Sequence, residues 1–479
     1  MNLKSSLPLV TLICASLAPA SSRADVPLEG QHDLSFGSEG VASVSVNLVD
    51  PPHQQSAGVA RTSNGLLYLA STVNLLANGQ QRRRVALARF DARGHLDSGF
   101  GGGDGLVFPA TAADVGFDLR AHGIVARADG KLLVNATRYD QYDPFSEPKL
   151  SICRYNVAGN LDSGFAGDGC ANPVIGVTEN AAEQAAVIRP AADDAVLLAG
   201  FLQDNANQPD SYSGFVYKLR ADGSTDPGYG AGAGFVLVKP PGLDKAFISD
   251  LRVLADGSQL VFGSNAAQQV SFVAKLTPVG DLDGSFGVGG HALFSFANLH
   301  QLNEPSEHAA GGAIDALGRI YFCGYVRHDF GYYSTVMAVA RLDAGGQLDA
   351  GFSGDGRLLR PFIDVFPTST VESCELDSQQ RLVLGVQTGT TEPNSDYGVM
   401  RLLPDGEPDP TFNLAGQNRA ALDLGGGGVG HDAQVGLVLD ADDGVIVAGT
   451  SFQANGYTPL SKQTMVRFGS ELLLRDSFE

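Results

Sequence analysis

The chain has 479 residues, of which 60 are glycine and 23 proline, with 43% apolar and only 18% charged residues. That length exceeds one ordinary compact core, and the even spread of turn-forming residues argues against a disordered chain and for many short strands in one large repeat architecture. The formal charge of −21 repels phosphate backbones and anionic lipid surfaces, so nucleic acid is not an expected partner.

From the start of the chain, Met1 to Ala24 reads as a secretory signal: Lys4 is the positive start, Leu7 to Ala18 the apolar run, and Ser22-Arg23-Ala24 the small-x-small cleavage site. The mature chain then begins at Asp25, and Ile13 before Cys14 argues against a lipoprotein signal. Beyond this segment no apolar run reaches the roughly 18 residues that span a bilayer. The expected product is a soluble, secreted or periplasmic protein without membrane insertion. The basic run Arg82-Arg83-Arg84 leads into apolar Val85-Ala86-Leu87-Ala88 and reads as a solvated strand entrance.

Self-similarity at a long period is the dominant signal. An aromatic anchor recurs at Phe36, Phe100, Phe165, Tyr229, Phe286, Phe352, Phe412 and Phe478, at intervals of 64, 65, 64, 57, 66, 60 and 66 residues. Three residues before the first seven anchors stands an acid: Asp33, Asp97, Asp162, Asp226, Asp283, Asp349 and Asp409. Eleven before the last seven stands a base: Arg89, Arg154, Lys218, Lys275, Arg341, Arg401 and Arg467. Seven intervals imply seven units, at about 36–99, 100–164, 165–228, 229–285, 286–351, 352–411 and 412–478, within one domain over 25–479.

Each unit predicts four short strands. After an anchor comes a glycine-rich bend and a first strand such as Gly105-Leu106-Val107-Phe108. A second (Gly123 to Ala126) and a third (Lys131 to Val134) are joined by Asp129-Gly130, a strong hairpin signal repeated at Asp256-Gly257 and Asp443-Gly444. The fourth ends at the base. Third strands such as Ala195 to Gly200 and Val445 to Gly449 are continuously apolar, which requires burial on both faces. Four-stranded antiparallel sheets stacked around an axis meet that requirement and leave few exposed edges. The predicted fold is an all-β, seven-bladed β-propeller, its ring closed by the N-terminal strand Gly40 to Val46 joining the last blade as outermost member.

The pattern base-x-x-x-x-Gly-x-Leu-Asp-x-x-Phe-Gly, as in Arg154 through Ala166 and Lys275 through Gly287, resembles the delta-60 repeat family of secreted bacterial proteins. The resemblance covers the mature chain and implies a β-propeller without an established activity. Tyr229 stands in for Phe, and the last copy has Arg475 where Asp is expected. The terminal Arg475 to Glu479 is similar to short C-terminal tails of some secreted bacterial proteins.

Repetition in every unit assigns the anchors to blade interfaces rather than to ligand stacking. The acid is expected either to pair with its base or to cap its own turn. Four cysteines follow the signal, and an even count in an oxidising compartment permits two disulfides. Cys153 and Cys170 flank one junction and Cys323 and Cys374 lie in neighbouring repeats, but spacing leaves the pairing open. No CxxC or Cys/His pattern suggests zinc. Gly101 to Gly105, Gly167-Asp168-Gly169, Gly354-Asp355-Gly356 and Asp440 to Gly444 offer carbonyls and carboxylates to calcium, with turn chemistry the simpler account.

No HExxH, GxSxG, phosphate loop or SxxK appears, and tryptophan is absent, so no catalytic residue or cofactor is predicted. In a meander the variable connections share one face, where binding residues tend to sit. Tyr139, Tyr142, Asp143 and Phe145 occupy one such loop, and Arg327, His328, Asp329, Tyr332 and Tyr333 another. The expected function is a monomeric, non-enzymatic extracellular binding or scaffold module, with an unknown protein or glycan as partner. The alternative is a polysaccharide-acting hydrolase or lyase with carboxylates at the central channel.

Overall fold

The computed structural model describes residues 29–46, 54–77, 80–108, 117–140, 147–175, 181–204, 212–297, 299, 305–329, 333–362, 368–391, 394–413, 415–422, 429–455 and 458–469. The predicted signal, Phe478 and the Arg475–Glu479 tail lie outside these residues. The fold is a β-propeller, with no α-helix among the described residues. Its strands form five four-stranded sheets and one eight-stranded sheet, the latter two four-stranded groups joined by a single parallel bridge between Thr335 and Thr368.

Each four-stranded group takes its outermost strand from beyond the next anchor. Leu106–Val107 follows Phe100 yet pairs with Gln80–Phe90, and Phe235–Val238 follows Tyr229 yet pairs with Tyr212–Leu219. The sequence unit and the sheet are therefore offset by one strand, so every junction is stitched to both of its neighbours. By the same rule Val41–Val44, which follows Phe36, pairs antiparallel with Thr458–Phe468 at the other end of the chain, Val41 opposite Val466.

The continuously apolar strands lie in sheet interiors: Ala195 to Gly200 and Val445 to Thr450 are buried at every position. Between sheets, Phe36, Phe100, Phe165, Tyr229, Phe286, Phe352 and Phe412 are each at most 2% exposed. Each ring sits on a turn glycine of the next junction. A Cβ on Gly159, whose φ is +87°, would lie 2.6 Å from the Phe100 ring, so the wedge needs both the left-handed turn and the missing side chain.

The acid and base do both things expected of them. Asp162 Oδ2 accepts from Arg154 Nε at 2.8 Å while Oδ1 accepts from Gly164 N at 3.0 Å. The same pair of contacts recurs at Asp349 with Arg341 and Gly351. The guanidinium also lies over the anchor ring, 4.8 Å from the Phe165 centroid, and donates to Ala221 O of the next turn at 2.5 Å. One hairpin departs from its predicted form. At Asp129-Gly130 and Asp256-Gly257 the left-handed residue is the glycine, but at Asp443-Gly444 it is Asp443, with φ 61°. Asp440 Oδ1 accepts from both Asp442 N and Gly444 N, and that ladder of bonds sets the turn one residue earlier. The cysteines pair as Cys153–Cys170, on directly opposed strand positions, and Cys323–Cys374, between neighbouring four-stranded groups.

Candidate functional site: an axial cavity lined by strand bulges

Seven strands open the four-stranded groups: Gln54–Arg61, Phe117–Ala126, Ala181–Pro190, Phe247–Val253, Ser306–Ile314, Thr368–Leu376 and Val429–Leu439. They pack against one another in chain order, and Val429–Leu439 also packs against Gln54–Arg61. Each carries one register shift against its hairpin partner, leaving Ala57, His122, Ala186, Ser249, Ala310, Glu372 and Val435 unpaired. Bulges bend a strand and re-aim its side chains. All seven residues line one cavity of about 260 Å³. Small residues after the bulge let the strands close in: a Cβ on Gly58 would stand 3.2 Å from the Gly123 backbone.

The cavity lining includes the apolar Ala57, Val59, Ala310, Val435 and Leu437. It also carries a charge ladder. Asp250 accepts from Arg189 at 2.5 Å and from Arg252 at 3.0 Å, and also from the backbone N–H groups of Leu251 and Gly312. Arg252 spans two groups to meet both oxygens of Glu375, at 2.9 and 3.1 Å, and donates to Cys374 O. Burial works to raise the Asp250 pKa, but Arg189 and Arg252 hold it below the ordinary carboxylate value. Burial likewise lowers Arg189, whereas for Arg252 it is outweighed by Asp250 and Glu375, which keep that guanidinium firmly protonated. These charges are spent on one another and brace three strands.

Two bulge residues behave differently. His122 is pushed down to about 4 by burial and by the nearby Arg120, so it is neutral and bonded to Thr137 Oγ1 at 2.7 Å. Glu372 is pushed up to about 7 by burial, eased only by a Thr370 hydrogen bond. Its charge is felt by Tyr325, which stacks on His308 with centroids 4.7 Å apart.

Other carboxylates with raised pKa have a structural cause. Three residues before their bulges, Glu183, Glu307 and Asp432 each turn back to accept a backbone N–H that follows the preceding group's outermost strand: Ile175 at 2.8 Å, Phe296 at 2.7 Å and Leu422 at 3.1 Å. Burial raises all three, Asp432 to about 7. Gln54 makes the same tie to Val46 N at 3.1 Å. Ser395 Oγ lies 2.6 Å from His431 Nδ1 and 3.0 Å from the Asp432 carbonyl, so its single proton is shared with a backbone acceptor.

Of the sequence-predicted binding residues, Tyr139 is half-buried at the end of Leu132–Asp140, and Arg327 is exposed near the end of Ile320–Asp329. His328 and Asp329 pair through their backbones with Ser334 and Tyr333. Tyr142, Asp143, Phe145 and Tyr332 lie outside the described residues. Tyr139 and Arg327 thus sit near corresponding strand ends of different groups. The glycine-rich aspartates are engaged as turn acceptors, Asp104 by Leu106 N, Asp168 by Cys170 N and Asp355 by Arg357 N, each at 3.0 Å. Among the described residues no group of three His, Cys, Asp or Glu is placed to hold a metal ion. The axial ladder itself was missed in the sequence; the small-residue pairs Ala57-Gly58, Ala310-Gly311 and Val435-Gly436 were its nearest signal.

No curated protein matches the chain. Among solved structures, a protein of unknown function from Dyadobacter fermentans is 11% identical, covering 73% of this chain and 95% of its own, with a TM-score of 0.40. Drosophila Semaphorin 2a is 10% identical over 92% of this chain and 76% of its own, at 0.45, and a Hadza microbial sialidase is 10% identical over 87% and 65%, at 0.38. At these scores none bears on activity. Residues 381–412, which include the base Arg401, the acid Asp409 and the anchor Phe412, match a family model described as a domain of unknown function (DUF5122) beta-propeller.

Proposed function

We propose that the chain is a monomeric seven-bladed propeller, closed by its own N-terminal strand, and that it is a non-enzymatic extracellular binding protein whose ligand, a glycan or a protein segment, seats at the loop-bearing mouth of the axial cavity. The cyclic packing of the seven first strands and the pairing of Val41–Val44 with Thr458–Phe468 support closure. The two disulfides support an oxidising compartment. The observation that carries the binding reading is the ladder through Arg189, Asp250, Arg252 and Glu375: its groups satisfy one another, so it forms a rigid polar floor. Glu372 lines the same cavity with hydrogen-bonding capacity, and Tyr325, which feels its charge, stacks on His308. Rigid walls with a few convergent polar groups suit ligand recognition.

Thermal unfolding of the full chain against a glycan and peptide panel tests this. A ligand at about 100 times its dissociation constant stabilises by roughly 2.7 kcal/mol. Glu372→Gln and Arg327→Ala are expected to abolish that shift; a shift that both variants retain places the site elsewhere.

A second reading, a hydrolase or lyase acting on a polysaccharide, has one observation in its favour. Glu372, pushed up to about 7, shares the cavity with Asp250, held low, and two carboxyls with pKa values driven apart is the arrangement acid and base roles need. Release of reducing ends from a polysaccharide panel, lost in Glu372→Gln with binding intact, would replace the binding reading with this one.

A further inference from the structure

We propose that a second pocket, separate from the axial cavity, binds an oxyanion carried on a glycan, such as a uronate carboxylate or a sugar sulfate. A cavity of about 450 Å³ opens at strand ends of the 54–107 and 117–171 groups and of the group containing Val445–Asn455, and its lining includes Gln55, Asn74, Arg83, Arg120 and Phe452 but no acid. Arg83 and Arg120 are exposed, and no carboxylate pairs with either guanidinium among the described residues. In a chain of formal charge −21, two guanidinium groups at one concave site are notable, because a cleft of one sign concentrates ions of the other.

The pocket is preformed. Arg84 Nη1 donates to Phe117 O at 2.8 Å, Ala121 N to Thr72 Oγ1 at 3.0 Å, and Arg83 N to Asp118 Oδ1 at 3.3 Å, stitching one sheet to the next directly beneath it. The arginine run that reads as a solvated strand entrance is therefore divided in use: Arg84 is structural and Arg83 faces the pocket. A guanidinium fork matches the planar oxygens of a carboxylate or sulfate. The Gln55 and Asn74 amides suit sugar hydroxyls, and the half-buried Phe452 ring suits an apolar sugar face. None of these residues lines the axial cavity, so this site stands or falls without Glu372.

Calorimetric titration of the full chain with glucuronate, galactose 6-sulfate, glucose and inorganic phosphate tests the assignment. The acidic sugars are expected to bind and glucose not to. Arg83→Ala and Arg120→Ala should each weaken binding about tenfold, as should raised salt in the same direction, while Arg82→Ala leaves it unchanged. Both substituted positions are exposed, so unchanged melting temperatures identify lost contacts rather than lost folding. Absence of acidic-sugar binding, or binding that survives in the Arg83→Ala/Arg120→Ala double variant, overturns the proposal. Inorganic phosphate binding as tightly as glucuronate overturns the glycan source.

Discussion

Among the described residues, junctions such as 154–165 are continuous in the chain, whereas one is assembled from segments near its two ends. At a continuous junction such as 154–165, Asp162 N donates to Arg154 O at 2.9 Å and the acid, base and wedge come from a single stretch. At the assembled one, Arg467 and Gly469 come from near the C-terminus and Gly30, Asp33 and Phe36 from near the N-terminus. Asp33 N donates to Arg467 O at 2.8 Å, Gly30 N to Gly469 O at 2.8 Å, and Arg467 Nη1 meets Asp33 Oδ2 at 3.1 Å. The geometry is the same, so the junction is defined by contacts and not by chain continuity. The assembled junction has one addition. Glu29, buried, meets Arg401 and Arg381, which also hold Asp409 and Asp377 in a closed charge network. Joining segments more than 400 residues apart carries a loop-closure entropy cost that a continuous turn avoids.

The comparison is broken most directly at the wedge. Phe165→Ala and Phe36→Ala each leave a buried cavity and are expected to cost about 3–5 kcal/mol, read as a lower urea midpoint. Equal losses would establish that the assembled junction is as tight as a continuous one; a much smaller loss for Phe36 would make it the weak point. Glu29→Ala removes one of the three carboxylates shared by Arg381 and Arg401, which keep Asp377 and Asp409, and is expected to cost about 1.5–3 kcal/mol. A negligible effect would show that the network contributes nothing to holding the chain ends.

Disulfides sharpen the picture at a smaller scale. Cys323–Cys374 closes 51 residues and Cys153–Cys170 closes 17. On chain-entropy grounds removing the first by Cys323→Ser/Cys374→Ser costs ~4 kcal/mol and the second ~3. The first also ties a strand that bears the axial ladder, since Cys374 stands between Ser373 and Glu375. Loss of ligand binding in the first variant alone would separate that role from stability.

Junction chemistry was legible in the sequence because it repeats: the Arg154, Asp162 and Phe165 spacing recurs in unit after unit, and a period is visible without coordinates. The third-strand burial at Val445 to Gly449 was legible because an unbroken apolar run admits few alternatives. The axial cavity was not. Its bulge residues, Ala57, His122, Ser249, Glu372 and Val435 among them, share a backbone role and no side-chain type, and only the glycine that follows some of them, as at Gly58, Gly311 and Gly436, hints at their place. The ladder from Arg189 to Glu375 is assembled across three groups and has no local spacing at all. The turn at Asp443 misled for a related reason: Asp-Gly is a strong local preference, but the Asp440 side chain fixed the register from outside the dipeptide.

A dependence on pH separates structural carboxyls from functional ones. Asp432 is pushed up to about 7 by burial, against ~3.9 in an unfolded chain. Its native state therefore holds the proton more tightly. The stability this supplies is complete below ~4 and is lost as pH rises through 7, at most ~4 kcal/mol from a shift of this size. Oδ2 accepts from Leu422 N, and an uncharged Asn at this position mimics the protonated form. Asp432→Asn should accordingly flatten the fall in melting temperature between pH 5 and 8 without altering ligand affinity. Glu372→Gln removes a similar slope, but as a group lining the axial cavity it should also change binding. If Asp432→Asn leaves the pH dependence of melting untouched, burial of that carboxyl is not what sets it. If it alters binding as Glu372→Gln does, the tie between groups and the axial site form one unit rather than two.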